Sequence, residues 1–323
     1  MNASYDKNAA IVVLPAVSGG RLENQSLRAW LAHADLTREP GPTEPLAQVT
    51  QELGLPYPEQ GRAALRLWGQ TRDRPTNWIA AADPVYLEPR LDHLVLHALR
   101  RVGVKPADMR ALINHLQTEL SGGGRFGFMR LGSYCYLSAK SSVATARVPS
   151  YVVDSKKPDD FMPSGEGTAE YRNLLSEIEM ALHEHEVNLG REQNGQPPVN
   201  SLWLWGGGTA PEQETRVQPP LFSDDALLRG YWESGRAASE AWPGNIKACI
   251  KKSVAGFVAE IPEFGSKPGL LDSCLTELRE ALRSGRLSGL TLLFRDGLHA
   301  HVQRNHAFRI WRRGYHLLDE ETE

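Results

Sequence analysis

Residues 199–208, with the sequence VNSLWLWGGG, predict a buried strand that ends in a glycine turn. Tryptophans and leucines alternate along this strand, so that both of its faces are mainly apolar. Strands of this kind are typical of a sheet centre that is covered by helices on both sides. The preceding segment, Ala169–His185, carries an apolar stripe at helical spacing, and we predict that it forms one of the covering helices.

The glycine turn at Gly206, Gly207 and Gly208 allows two interpretations. Three glycines directly after a buried strand leave backbone N–H groups that an anion can approach closely. Ligands of open α/β sheets also bind at the carboxyl ends of strands. The same residues equally suit a tight structural turn, and the chain has neither the Walker motif nor GxGxxG at this place. The glycines alone therefore leave both interpretations open.

Further strands are predicted near both ends of the chain. Ala9–Leu14 is continuously apolar, which is typical of a strand in a parallel sheet. Leu287–Phe294 and Ala300–Trp311 predict a pair of antiparallel strands, because Asp296-Gly297 between them is a hairpin signal. Strands that alternate with helices indicate an α/β fold with additional antiparallel strands.

The predicted domain boundary lies near the middle of the chain. Lys156–Gly167 is rich in proline, glycine and charge, which is typical of a linker. We therefore expect an N-terminal α/β part at residues 1–155 and a C-terminal α/β part with the glycine turn at residues 168–323, unless the two form one continuous domain.

Composition excludes several classes of protein. The chain has 323 residues, 41% of them hydrophobic and 23% charged, which is enough for a sizeable core. A net charge of −3 gives no support for binding to nucleic acid or to a membrane. The apolar run Ala9–Leu14 is too short for a signal peptide or a membrane span. Cys135, Cys249 and Cys274 are far apart and predict reduced thiols, so we expect a cytoplasmic protein.

A spaced set of polar residues leads into the glycine turn. His185-Glu186-Val187-Asn188 is followed by Arg191 and Asn200, and then by the WLWGGG run. With this pattern, residues 174–211 resemble the archaeal-type cofactor-independent phosphoglycerate mutases, which usually have a proline at the place of the glutamate.

Four shorter motifs add a second resemblance. They are DPVxL at Asp83–Leu87, FSDD at Phe222–Asp225, the pair Arg229-Gly230, and FRxWRR at Phe308–Arg313. With the NSLWLWGGG strand, they make the whole chain similar to the RpfE-type regulatory proteins of proteobacteria, which are degenerate relatives of the same mutases.

The resemblance implies both a fold and a chemistry. The fold is a partial alkaline-phosphatase-like sheet flanked by helices, with the first strand and the Trp203–Trp205 strand in one core. The chemistry uses two divalent metals and a serine nucleophile, and the first metal ligand is an aspartate directly after the first strand. Here that strand is followed by Pro15-Ala16-Val17-Ser18, and no adjacent Asp-His pair occurs after Gly208. Because two metals need several oxygen and nitrogen ligands, we predict no catalytic residue, no metal site and no cofactor.

The resemblance also implies a pocket for an anion or a phosphate ester. The residues that match the family pattern, and that we expect to line it, are Asn188, Arg191, Asn200, Gly206, Gly207 and Gly208.

Other polar clusters favour structural roles. His183 and His185 lie two residues apart at a helix end, which does not match the spacing of HExxH. His299 and His301 share one face of a predicted strand, which favours a solvated face over a metal site. Ser18 is interpreted as a turn residue.

One basic cluster lies close to the C-terminal end of the sequence. Arg309, Arg312 and Arg313 stand with Phe308 and Trp311, a combination that can stack on nucleotides. In an acidic chain we prefer an edge-strand or partner surface.

The leading functional prediction is a non-catalytic binding or regulatory protein derived from a mutase-like scaffold. Its predicted partner is a small phosphorylated ligand or another protein, and neither nucleic acid nor a membrane. Two alternatives stay open: a phosphoryl-transfer or phosphate-ester enzyme with an unrecognised catalytic site, and a subunit of a larger assembly. Acidic and histidine side chains clustered at the carboxyl ends of the strands would favour the enzyme.

Overall fold

The apolar segment near the N-terminus forms the first strand of a mixed α/β fold in a computed structural model of the chain. The structure describes residues 8–17, 22–39, 43–99, 103–263, 269–309 and 315–319. Ser18, Trp311, Arg312 and Arg313, which the sequence singles out, lie outside the described residues.

Strands and helices alternate along the described part of the chain. The strands are β1 (Ala10–Leu14), β2 (Asp35–Arg38), β3 (Trp78–Pro89), β4 (Leu94–Ala98), β5 (Phe126–Leu131), β6 (Tyr134–Ala139), β7 (Ser201–Gly208), β8 (Leu221–Phe222), β9 (Ser239–Glu240), β10 (Phe257–Glu260), β11 (Gly289–Phe294) and β12 (Leu298–Gln303). The helices are α1 (Gln25–Ala32), α2 (Pro45–Leu53), α3 (Arg62–Thr71), α4 (Pro106–Leu120), α5 (Ser150–Val153), α6 (Thr168–Leu182), α7 (Glu186–Gln193), α8 (Ala226–Ser234), α9 (Ile246–Lys252), α10 (Leu270–Ser284) and α11 (Tyr315–Asp319).

The elements form two compact units. The first unit comprises Met1–Tyr57 and Glu212–Glu323, and the second comprises Pro58–Pro211. This division differs from the predicted parts, 1–155 and 168–323. The predicted linker lies inside the second unit, where its start is held against β4: Leu96 N donates to Lys156 O at 3.0 Å, and Ser155 N donates to Leu96 O at 2.7 Å.

A seven-stranded sheet organises the first unit, in the order β2-β12-β11-β1-β10-β8-β9. β1 is buried along its whole length and pairs in parallel with β10 on one side and β11 on the other. β12 is antiparallel to both β11 and β2. The predicted parallel centre with additional antiparallel strands is therefore confirmed, and so is the hairpin at Asp296-Gly297. Its second strand is Leu298–Gln303 and not the predicted Ala300–Trp311, because Arg304–Phe308 form a 3-10 helix.

The second unit has a five-stranded antiparallel sheet built around β3. Ala81 pairs with both β6 and β7, and Val85 pairs with both β4 and β7. β7 therefore runs along one side of β3, while β6 and β4 share the other side. β3 continues through Asp83-Pro84 because its neighbour on one side changes at this dipeptide from β6 to β4. The missing N–H of the proline is tolerated at such a place.

The first strand and the Trp203–Trp205 strand lie in different sheets, so the single sheet that the resemblance implies is not formed. β1 lies in the seven-stranded sheet and β7 in the five-stranded sheet. Ala10, Val12 and Leu14 of β1 belong to an apolar cluster with α1 and α10, whereas Leu202 and Leu204 of β7 belong to a cluster with α4 and α6.

The predicted helical cover of β7 is confirmed, but the predicted position of this strand at the sheet centre is wrong, because among the described strands β7 pairs only with β3. Both faces of β7 are buried. Leu202 and Leu204 belong to the same apolar cluster as Leu174 and Ile178 of α6, and α3 also contacts β7.

Proline and glycine determine two local features of the second unit. Helix α5 begins directly after Pro149. β5 and β6 form a hairpin, because Gly132 adopts a φ of 59° between them. None of the helices among the described residues has the length and apolarity that a bilayer span requires.

Candidate functional site

Polar side chains collect at the carboxyl edge of the parallel strands in the first unit. β8 is followed by Ser223, Asp224 and Asp225, β10 ends at Glu260, and β11 is followed by Arg295 and Asp296. This edge is where ligands bind in open α/β sheets. It is the candidate functional site of the unit. Because acidic side chains clustered at this edge would favour an enzyme, the groups with which they pair decide between the alternatives.

Glu260 is the most buried carboxylate of this edge, with 3% of its surface exposed. It forms an ion pair with Arg295, and its Oε2 accepts a hydrogen bond of 3.0 Å from the Ser223 hydroxyl. Burial raises the pKa of Glu260, and the Arg295 guanidinium opposes this rise. Both carboxylate oxygens are thus engaged by neighbouring side chains.

The acidic residues after β8 stabilise the backbone. Asp225 is the N-cap of α8, and its Oδ1 accepts hydrogen bonds of 2.9 Å from the N–H groups of Leu227 and Leu228. Its own N–H donates to Ser223 Oγ at 2.8 Å. Asp224 Oδ1 accepts from Trp242 N at 3.2 Å. The FSDD motif therefore serves to start a helix and to connect that helix to Glu260.

A second ion pair lies after β11. Asp296 Oδ2 is 3.5 Å from Arg38 Nη1 and accepts a hydrogen bond of 3.2 Å from Val17 N. Arg38 also donates to the backbone oxygens of Asp296, at 2.9 Å, and Leu317. Both side chains of this pair are nearly buried.

These residues do not fit the pair of divalent metals that the mutase-like pattern implies. Such metals require several oxygen or nitrogen ligands around each ion. Within the described ranges, no group of three or more His, Cys, Asp or Glu side chains has a geometry that could hold a metal. Glu260 and Asp296 instead receive guanidinium groups, and Asp225 receives backbone N–H groups.

Three of the six residues predicted to line a pocket gather at the start of β7. The Asn188 side chain donates to Leu182 O and Val199 O and accepts from Val199 N. Arg191 Nε donates to Pro197 O at 2.9 Å. Asn200 pairs its amide with both backbone groups of Leu87. These polar side chains stabilise the entry of the chain into β7.

The three glycines lie at the opposite end of β7, and their neighbours fill the space around them. Gly206 N donates to Ala146 O at 3.1 Å, and Gly207 N donates to Thr145 Oγ1 at 3.0 Å. A Cβ atom on Gly207 would lie 2.5 Å from Trp78 Cζ2, and one on Gly208 would lie 2.5 Å from Gly61 N. The close approach of other chain segments accounts for these glycines.

The six residues are therefore not brought into one pocket. Asn200 and Gly206 are separated by six steps of extended chain, which is roughly 20 Å at about 3.3 Å per residue. Arg191 is buried, with 4% of its surface exposed, and its bond to Pro197 keeps it at the first end of the strand.

The structure contains a buried polar cluster that the sequence analysis did not identify. Asp83 Oδ1 accepts from Arg66 Nη1 at 3.0 Å, while Oδ2 accepts from Ser150 Oγ at 2.9 Å and from Trp205 Nε1 at 2.7 Å. Burial lowers the pKa of Arg66, but Asp83 and Tyr136 more than compensate, so that the net shift is upward. The DPVxL and WLWGGG motifs meet in this cluster. The sequence feature that could have indicated the cluster is an aspartate inside an apolar strand.

Among the histidines that the sequence singled out, His185 has the predicted structural role, whereas the predicted solvated face is wrong for His299, which is buried. His185 caps α7, with its Nδ1 accepting from Val187 N at 3.2 Å. His299 is buried against Gln48, with its Nε2 3.0 Å from the amide nitrogen. His301 is half-buried, 3.2 Å from Thr291 Oγ1 and 3.6 Å from Glu52.

Comparisons with known proteins show sequence similarity to phosphoglycerate mutases. The chain is 32% identical over 112 residues to the 2,3-bisphosphoglycerate-independent phosphoglycerate mutase of Methanosarcina barkeri, a match to 34% of this chain and 28% of the relative. It is 30% identical over 129 residues to 2,3-bisphosphoglycerate-independent phosphoglycerate mutase 2 of Methanothermobacter thermautotrophicus, covering 39% of this chain and 31% of the relative. The chain thus spans less than a third of the length of these curated relatives.

Among solved structures, the cofactor-independent phosphoglycerate mutase from Thermoplasma acidophilum aligns with 92% of this chain and 90% of its own chain. The sequence identity is 19% and the TM-score is 0.42. No family model matches the chain. The chain is an α/β protein whose similarity to these mutases extends over about a third of its sequence.

Proposed function

We propose that this chain is a non-catalytic binding or regulatory protein built on a phosphoglycerate mutase-like scaffold. The observation that carries the proposal is the pairing of Glu260 with Arg295 at the carboxyl edge of the parallel strands. A guanidinium held against this carboxylate supplies the positive charge that a metal would otherwise bring. With Arg38 on Asp296, it neutralises the two buried carboxylates of this edge, while Asp224 and Asp225 accept hydrogen bonds from backbone N–H groups. The oxygens that a divalent ion would need are therefore engaged by other partners.

The second support is the burial of this pair. Removing Arg295 would leave a carboxylate with little solvent access and no counter-charge, which is unfavourable by several kcal/mol, about 3–5 in comparable cases. Exchange of Arg295 for a hydrated cation would also require the ion to lose its water. The pair therefore favours a metal-free site.

The test is an assay of the purified protein for interconversion of 2- and 3-phosphoglycerate with added Mn²⁺, Mg²⁺ or Zn²⁺. We expect no metal-dependent turnover, whereas an archaeal mutase assayed in parallel provides the positive control. Thermal melts with Mn²⁺ and with EDTA should coincide, because a ligand that binds only the folded state raises its stability. Turnover at an enzyme-like rate, or a melting temperature that rises with Mn²⁺ and falls with EDTA, would overturn the proposal.

The finer assignment within this proposal is an RpfE-type regulatory protein that acts in the cytoplasm. The DPVxL and FSDD motifs support the regulatory assignment, since both hold buried networks and neither presents a set of metal ligands. Cys135, Cys249 and Cys274 are buried free thiols, which suits a reducing compartment. The proposed partner is a small phosphorylated ligand or another protein.

A further inference from the structure

A cavity of about 750 Å³ lies in the first unit, between α1, α10 and the 3-10 helix Arg304–Phe308 that follows β12. It is separate from the carboxyl edge described above. The residues that matter for its chemistry are Trp30, His33, Arg279, Arg283, Arg304 and Phe308. Sites for small molecules typically have volumes of about 300–1,000 Å³.

Among the described residues, those that line this cavity carry three guanidinium groups and no carboxylate. Arg279 and Arg283 lie one turn apart on the same face of α10, where like charges repel. Arg304 comes from the opposite wall, and its Nη2 donates to the backbone oxygen of Arg283 at 3.0 Å. In a chain with a net charge of −3, this is a local excess of positive charge.

Most of the donors of these arginines are available to a ligand. Each guanidinium has five N–H donors. Arg279 uses one nitrogen, Nη1, for Ser26, whose hydroxyl is 2.9 Å away. The Arg283 side chain is exposed and makes no hydrogen bond or ion pair with the described part of the chain. Forked guanidinium donors match the oxygens of phosphates and carboxylates.

The remaining walls are aromatic. Trp30 is partly buried and packs on the apolar core below the cavity. Phe308 has 77% of its surface exposed, which is unusual for a large apolar side chain beside charged groups. A flat apolar ligand that lies against these rings would remove their surface from water.

We propose that this cavity binds a small organic anion that carries an aromatic ring, of the nucleoside monophosphate class. The ring of the ligand lies against Trp30 and Phe308, and its phosphate is held by Arg279, Arg283 and Arg304. The proposal rests on the proposed function in that it gives a site and a class to the small phosphorylated ligand. None of these residues belongs to the carboxyl edge of the sheet, so a failure to bind the monophosphate is distinguishable from a positive mutase assay. A polymer is disfavoured, since the acidic chain offers it no general electrostatic attraction.

Isothermal titration calorimetry of the full chain tests this with adenosine 5′-monophosphate as the probe. Adenosine lacks the phosphate and ribose 5-phosphate lacks the ring, so we expect each to bind at least about tenfold more weakly than the complete probe. Arg283→Gln should weaken the binding of the monophosphate about tenfold, the effect of about 1.4 kcal/mol from a lost charge-assisted hydrogen bond. Phe308→Ala should also weaken it. Both side chains are exposed, so these variants should fold normally.

Arg286→Gln is the matched control, because Arg286 is exposed and close to α10 but does not line the cavity. It should bind the probe as the unaltered chain does. Absence of binding at millimolar adenosine 5′-monophosphate would overturn the proposal, and so would equal losses in Arg283→Gln and Arg286→Gln. Equal affinity for ribose 5-phosphate would overturn the role of the aromatic wall. Binding of an acidic aromatic peptide in place of any small anion would show that the site is a protein-docking surface and would overturn the assignment.

Discussion

His185 connects the N-terminal cap of α7 to the pH dependence of the protein's stability. Its Nδ1 accepts the hydrogen bond that caps α7, so the ring must be neutral in the folded protein. Burial lowers the pKa of His185, and His115, with its ring centroid 4.8 Å away, adds to this effect. Glu186 acts in the opposite direction.

The lowered pKa predicts a loss of stability in acid. As the pH falls, the unfolded state binds the proton at a higher pH than the folded state does. The contribution of His185 to the free energy of unfolding is therefore complete above the ordinary histidine pKa of about 6.5, and it declines as the pH falls below that value. His185→Asn keeps a good N-cap and removes the titration. Between about pH 7 and pH 5, its melting temperature should therefore fall less than that of the unaltered chain.

The matched control for this prediction is His183→Asn, since His183 is exposed two residues earlier. Its melting temperature should follow that of the unaltered chain at every pH. Identical acid sensitivity in His185→Asn and in the unaltered chain would contradict the role of His185.

At the residue scale, the sequence indicated which polar residues have special contacts more often than it indicated the groups that they contact. Asn188 and Asn200 were predicted to line a pocket. The Asn188 amide instead satisfies backbone groups of Val199, just before β7, and the Asn200 amide satisfies those of Leu87 in β3, which is distant in sequence. Asp83 was recognised only as part of a motif, because its partners Arg66 and Ser150 come from elements that no local pattern connects to it.

At the scale of single elements, a substitution at the end of β7 distinguishes the two interpretations of the glycine turn, a tight structural turn and a site for an anion. If the glycines exist for close packing, a methyl group on Gly207 should be destabilising, because its carbon would lie 2.5 Å from Trp78 and 2.9 Å from Thr145 Oγ1. We expect Gly207→Ala to lower the free energy of unfolding by about 1–3 kcal/mol in urea titrations, the usual cost of overpacking.

Gly190→Ala is the control, since a Cβ at this helical position meets no atom within 4 Å. It should stabilise the protein by up to about 1 kcal/mol through helix propensity. A Gly207→Ala variant of unaltered stability would indicate that the turn has room for a ligand.

Elements with local signals were predicted well, whereas pairings between distant segments were not. The hairpin of β11 and β12 was found because Asp296-Gly297 lies between its strands. β8 is only two residues long, and β10 only four, so neither has enough length for a periodic pattern. The parallel pairing that places both beside β1 is set by tertiary packing.

For the molecule as a whole, the boundaries of the second unit predict which fragment folds. Residues 58–211 contain all five strands of the antiparallel sheet together with α4 and α6. Expressed alone, they should show a cooperative urea transition and near-ultraviolet circular dichroism. A fragment of residues 1–155 should show neither, because it lacks β7 and α6 and contains β1 without β10 and β11. Cooperative unfolding of the 1–155 fragment alone would contradict the division.

The central position of β1 has a consequence for synthesis on the ribosome. Ala10 pairs with Phe257 on one side and with Leu290 on the other, so β1 emerges long before either of the two strands that pair with it. Until then both of its edges are open, and an apolar strand with open edges is a template for aggregation. The second unit emerges in one piece and can complete its sheet during this interval. The nascent chain therefore carries a folded insert beside an unfinished sheet, and chaperone contact is expected at β1 rather than at the strands that follow it.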